Sequence, residues 1–313
     1  MMDWIRRLKA GYVLYNLFHY KQLEHNVPHY RQLGLRKWYF SPVSSKDFRH
    51  LPQSEPGATP ASRQQHLRES AAFSQLPVES RNSLLDFDQN GFAVLPGFFS
   101  AADVTVANAE TDRLLESGQV SFRYGNKIMF AYRKSNHLRS MGENPALLEI
   151  LTLLLGKKAV LFQSINFYTG SQQKTHSDSI HMTTYPLGGL LAIWVALEDI
   201  HEGSGPLHYY PGSHVLPYYL NSDYDNEGNA LFIGDKTYAE YEKMIGRKKE
   251  ELGLKKKVFL AKKGDVFIWH ANLLHGGEPH TDPSKTRRSI VFHYFSEGSI
   301  CYHEITQRPA LMF

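Results

Sequence analysis

From residue 157 onward the chain is a succession of short β-branched and aromatic runs with no helices alternating between them. That texture narrows the fold more than any other feature. AVLFQSINFYTG (159–170), LLAIWVALEDI (190–200), KVFLAKKGDVFIWH (257–270) and RRSIVFHYF (287–295) are separated by Gly, Pro, Asn and Asp. A parallel sheet would need crossover helices between such runs, so the pattern predicts an antiparallel sandwich or barrel. The expected class is mainly β with flanking helices, and a two-sheet jelly roll fits it.

The expected helices come first in the chain. Ser100 stands three residues before Asp103 at capping-box spacing and opens a helix over about 100–115. A second helix is read in PALLEILTLLLG, closed by Gly156. Asn90-Gly91 marks a turn before the short strand FAVL. Nearer the start, Trp4, Ile5, Leu8, Tyr12, Tyr15 and Phe18 recur at helical steps. That basic, aromatic helix permits a membrane-surface or partner role; a helix packed on the main domain is the preferred reading. LPQSEPGATPASRQQ then reads as a linker or surface loop. Residues 1–80 are thus expected to be a dispensable helical and linker extension, and 81–313 the main domain. A polar insert at about 216–257 contains a charged helix, TYAEYEKMIGRKKEELG, which is either a solvated face or a lid.

Thirty-five basic and 31 acidic residues leave a net charge of +4, too little for a nucleic-acid footprint. The single cysteine, Cys301, excludes an intrachain disulfide. No apolar run reaches the ~18 residues a membrane span needs. The expectation is a soluble, cytoplasmic protein.

Within residues 175–214 stands His176-x-Asp178. In extended backbone, residues two apart point to one side, so one imidazole and one carboxylate can meet one metal ion while Ser177 points away. A distant histidine would complete a two-His-one-carboxylate face that leaves iron positions open. The candidates are His270, His275 and His280; His275, followed by Gly276-Gly277, is preferred because those glycines allow close approach. Arg287 and Ser289 share a strand face and suit a terminal carboxylate, which a guanidinium fork grips bidentately. Parity alone chooses Arg287 over Arg288.

His176-x-Asp178, Trp194, PGSH (211–214), GDVFIWHANLLHGG (264–277) and RRSIVFHY (287–294) together resemble the phytanoyl-CoA dioxygenase family. GFAVLPGFFSAADV (91–104) is similar to that family's usual start, and the resemblance covers about residues 83–297. It implies a double-stranded β-helix of cupin-like form and a non-haem iron dioxygenase, a hydroxylase of unactivated C–H bonds. Fe(II), 2-oxoglutarate and O2 would be its cofactors, a small molecule its substrate, and succinate and CO2 its co-products. Residue by residue, the resemblance implies His176, Asp178 and His275 as iron ligands and Arg287 with Ser289 on the far carboxylate of 2-oxoglutarate. Trp194 would lie against the cosubstrate or serve as a strand-core aromatic, and Gln163 and Asn166 would line the pocket. Asp178 would speak for hydroxylation, since related halogenases lack that carboxylate. Many relatives have Ser where this chain has Gly277, which removes one cosubstrate hydrogen bond or leaves it to another group. Substrate contacts are expected from His181, Met182, Thr183, Tyr185 and the insert. The alternatives are an inactive or 2-oxoglutarate-independent metal-binding jelly roll, and a scaffold built on the N-terminal helix.

Overall fold

The computed structural model describes residues 3–52 and 59–312. Its largest sheet has seven antiparallel strands, in the order Phe92–Leu95, Val266–His270, Leu190–Ala196, Ser289–Ser296, Ala159–Phe167, Lys127–Met129 and Phe122–Arg123. A three-stranded sheet, His275–Gly277, Leu207–Tyr209 and Lys257–Phe259, faces it. A further sheet is formed by Arg308–Pro309, Ile300–His303 and Thr183–Tyr185. This is a jelly roll with helices on its outer side.

Period-two alternation explains why the strand LLAIWVA is apolar throughout. Leu191, Ile193 and Val195 face outward with Ile290, Phe292 and Tyr294 against Val104, Leu114, Leu147 and Ile150 of the helices. Ala192, Trp194 and Ala196 face inward with Phe267, Trp269, Val291, Leu207 and Tyr209. A strand covered on both faces has no polar side to show. The helices Ala101–Glu116 and Pro145–Leu155 supply the outer cover. Ser100 and Asp103 form the reciprocal cap of the first, at 3.0 and 3.1 Å. Gly156, at φ 68°, ends the second, a backbone turn that glycine makes without steric cost.

The N-terminal residues pack into the same cores. Residues 53–58, in the expected linker, lie outside the described residues; Pro60–Glu69 is helical, and Leu67 and Phe73 join the outer core. Tyr30, Val43 and Phe48 form a cluster with Tyr185, Ile300 and Tyr302, and the Phe48 ring stacks on Tyr185 at 4.4 Å. Glu304, buried, accepts from Ser45 N and Oγ and from Asn221 N, tying the N-terminal segment and the insert to the last sheet. Phe48→Ala should therefore cost roughly 3–5 kcal/mol, the usual range for an aromatic removed from a core. Urea unfolding followed at the whole-protein transition checks this; a change below about 1 kcal/mol would mean that residues 1–50 are energetically separate.

The first helix is shorter than its periodicity predicts. It divides into Asp3–Arg7 and Lys9–Phe18, because Leu8 turns extended and bridges Phe232 of the insert. Lys9 N donates to Leu231 O at 2.9 Å beside it. No described helix is long and apolar enough to cross a membrane.

Candidate active site

His176 and His275 are joined through their backbones. Each N–H donates to the other's carbonyl at 2.9 Å, an isolated bridge between distant segments. Their rings stand 4.5 Å apart. Asp178 is not on a continuing strand, as the spacing argument assumed, but begins a 3-10 turn, Asp178–Ile180. That turn still delivers its carboxylate to the same point: Oδ1 lies 3.8 Å from His176 Nε2 and 3.6 Å from His275 Nε2. One donor atom from each of the three residues falls within 4.8 Å of the others, and all three residues are buried.

Local contacts fix which atoms face inward. His176 Nδ1 lies 2.8 Å from Lys174 O and His275 Nδ1 lies 2.9 Å from Leu273 O. A carbonyl oxygen accepts only, so both protons sit on Nδ1 and both Nε2 lone pairs face Asp178. Burial, then the neighbouring His275, holds His176 well below its ordinary pKa and keeps it neutral. Burial of Asp178 works to raise its pKa, but the facing imidazoles of His275, His293 and His176 outweigh this and hold it below the usual carboxylate range. Two imidazoles and one carboxylate converging on one point are the donor set of an open-faced iron site.

The residues behind Asp178 were not singled out from the sequence. His293, Ala192 and Trp269 are opposite one another across three adjacent strands. Ala192 is small, and over it Trp269 Nε1 donates to Asp178 Oδ2 at 2.7 Å, with His293 Nε2 3.8 Å from the same oxygen. The signal for His293 was present: it lies on the face of Arg287, Ser289 and Val291 by period two. Such partners orient a ligand and tune its basicity, so Trp269→Phe should weaken Fe(II) binding by about 10–100-fold with the fold intact. An anaerobic iron titration alongside circular dichroism measures it.

Arg287 and Arg288 part as parity predicted. Arg287 is 2 % exposed. Its Nε donates to Gly205 O at 3.0 Å and its Nη1 to Ser289 Oγ at 2.9 Å. Its Cζ lies 5.4 Å from the centre of the Trp194 ring and 5.6 Å from that of Phe167. Burial lowers its pKa to about 10, still charged at neutral pH. Arg288 instead pairs with Asp112 at 3.0 Å and lies over Tyr168 on the helical side.

His176, Asp178, His275, Arg287, Trp194 and Gln163 line one cavity of about 1240 Å³. Asn166 does not. Three positions from Gln163 on one strand, it has the opposite parity, and its Nδ2 donates to Thr111 Oγ1 in the helical layer at 3.1 Å. Of the expected substrate contacts, His181 and Met182 line the cavity, whereas Tyr185 packs against Phe48. The insert helix Tyr238–Glu251 reaches it through Tyr238, beside His181, and its Tyr241 hydroxyl accepts from Ser177 N at 3.3 Å. His270 faces away, against His214 and Tyr218, and His280 Nε2 donates to the carbonyls of Asp282 and Lys285, both at 2.9 Å. A Cβ on Gly277 would lie 2.7 Å from Ser171 Oγ and 2.9 Å from Gln172 N, so a side chain at this position would require Ser171 and the Gln172 backbone to shift. Among the described lining residues Asp178 is the only carboxylate, against Arg123, Lys127, Arg133, Lys134, Arg287 and Arg308. The charge of the lining is predominantly positive.

Residues 87–289 match the sequence profile of phytanoyl-CoA dioxygenase (PhyH). The chain belongs to the phytanoyl-CoA dioxygenase family. It is a non-haem iron, 2-oxoglutarate-dependent dioxygenase by that membership. An ectoine dioxygenase from Stutzerimonas stutzeri is 26 % identical over 241 residues, 67 % of this chain and 74 % of that one. Phytanoyl-CoA dioxygenase domain-containing protein 1 from Danio rerio is 28 % identical over 151 residues, 45 % of this chain and 47 % of its own length. The alignment thus spans about half of the zebrafish protein. In fold, the chain is similar to the non-heme alpha ketoglutarate dependent carbocyclase SnoK from nogalamycin biosynthesis, with a TM-score of 0.59, 19 % identity, and 74 % and 88 % of the two chains covered. EctD from S. alaskensis, solved with 2-oxoglutarate and 5-hydroxyectoine, gives a TM-score of 0.53 at 19 % identity, covering 71 % of this chain and 77 % of EctD.

Proposed function

We propose that this protein hydroxylates an unactivated C–H bond of a small molecule, with 2-oxoglutarate converted to succinate and CO2. The observation that carries the reading is a single cavity onto which both the His176, Asp178, His275 donor set and the buried Arg287 open. The three donors would hold Fe(II). Arg287, with Ser289 fixing one arm of its guanidinium, would hold the far carboxylate of 2-oxoglutarate against Trp194. Trp194 Nε1 is buried without a partner, a donor still free for a bound anion. Iron bound there with 2-oxoglutarate and O2 would supply the oxidising power that no side chain has.

The chain's own contribution is placement. The paired backbones of His176 and His275 set the spacing of the donors, and Trp269 and His293 aim Asp178. Tyr238 of the insert helix lines the cavity beside His181, and Tyr241 anchors that helix to Ser177, an arrangement that would limit water at the site. Release of CO2 from 2-oxoglutarate labelled at C1, with matching succinate, tests the reading. Iron-dependent release stimulated by members of a small-molecule panel, and absent in Asp178→Ala, is the expected result. Folded, iron-loaded protein that releases none would overturn it.

A further inference from the structure

We propose that the exposed face of the helix Lys9–Phe18, with Trp38 beside it, is a docking surface for an anionic phospholipid bilayer. The helix packs inward through Asn16, which is buried and donates from Nδ2 to Phe40 O at 2.8 Å. Its other side, Ala10, Gly11, Leu14, Tyr15, Leu17 and Phe18, is exposed, and none of these residues is charged. Leu14 is 56 % and Phe18 79 % exposed. Positions three and four apart share a helix face, so Leu14, Leu17 and Phe18 form one apolar stripe. A surface helix normally turns such a stripe to the core; here it faces out.

The Asn16 bond also brings the Trp38 to Phe40 segment alongside. Trp38 is 68 % exposed, 5.2 Å from the Phe40 ring. Exposed indole and phenyl rings next to an apolar stripe match the composition of a lipid–water interface.

Charge selects the occupant. Of the nine lysines and arginines in residues 1–50, Arg7, Lys37 and Arg49 are paired with Asp235, Asp47 and Glu227, whereas Arg6 and Lys21, flanking the helix in sequence, and Arg36, two residues before Trp38, are exposed. A second copy docking through the same face would bring these flanking cations against their own counterparts. An anionic bilayer meets the same charge with attraction while the apolar stripe enters the acyl boundary. Tyr15 and Asn16 of this helix line the cavity that holds His176, Asp178 and His275. The surface stands whatever reaction the cavity performs.

The test is co-sedimentation of the full chain with vesicles of phosphatidylcholine plus phosphatidylserine, and of phosphatidylcholine alone. Wild type is run beside the double variant Leu17→Glu, Phe18→Glu; both positions are exposed and outside the cavity, and circular dichroism checks the fold. Wild type should pellet with the anionic vesicles, less in high salt, with a partition coefficient at least about tenfold above the variant's. Wild type that stays in the supernatant, or a variant that partitions equally, overturns the proposal. A concentration-dependent dimer without vesicle binding, lost in the variant, would assign the face to a second copy instead and overturn it too.

Discussion

His275→Ala is expected to reduce iron-dependent turnover by at least about a thousandfold, roughly 4 kcal/mol at 1.4 kcal/mol per decade. The substitution removes one of the two imidazole donors, leaving His176 and Asp178. It should not unfold the chain. The bridge between residues 275 and 176 is made by backbone groups, which alanine retains. The next strand residues, Gly276 and Gly277, still pair with His208 and Leu207. Steady-state succinate formation together with bound-iron content checks this. The account requires both to fall while the thermal transition stays near wild type. Retained iron and retained turnover would mean that the third donor is another residue.

Arg287→Met should act on a different quantity. It keeps the volume of the side chain against Trp194 and Phe167 but removes a charge that, among the described residues, has no carboxylate partner within ion-pair distance. Losing one side of a buried, hydrogen-bonded charge pair costs roughly 2–5 kcal/mol. The KM for 2-oxoglutarate should therefore rise by about 30-fold to several thousandfold, with iron affinity unchanged. Arg287→Lys should not restore it, because an ammonium cannot reproduce a fork held by Gly205 O and Ser289 Oγ. Titration of 2-oxoglutarate at saturating iron measures both variants. Equal KM values for wild type and Arg287→Met would show that the guanidinium does not face the cosubstrate.

Period two made much of this site legible. It placed Arg287 inward and Arg288 outward, and the structure puts the one against Trp194 and the other against Asp112. The same rule, applied to Gln163 and Asn166, would have separated them, since residues three apart cannot share a strand face; only the resemblance had grouped them. His293 and Trp269 were within reach of that arithmetic too. What hid them was register, because their convergence on Asp178 depends on which residues of three strands stand opposite Ala192. Register is a tertiary property that no single run of sequence encodes. The N-terminal helix shows the converse limit. Its periodicity was visible, but its break at Leu8 comes from pairing with Phe232, more than 200 residues away. The direction of its apolar stripe followed from Asn16, a polar residue that the structure buries. Residues 60–65 of the linker read at 51–65 belong instead to the helix Pro60–Glu69, which Thr59 caps, its Oγ1 accepting from Ser62 N at 3.2 Å, with Pro60 at its first turn.

The claim at the centre of the account is that His176, Asp178 and His275 hold iron and that Arg287 holds 2-oxoglutarate on it. Anaerobic titration of the apo-protein with Fe(II) and then 2-oxoglutarate, followed by visible absorption, tests it most directly. The account predicts a weak charge-transfer band in wild type that is absent in His275→Ala and needs far more 2-oxoglutarate in Arg287→Met. A folded wild-type protein that binds iron stoichiometrically and shows no band at saturating 2-oxoglutarate would contradict it.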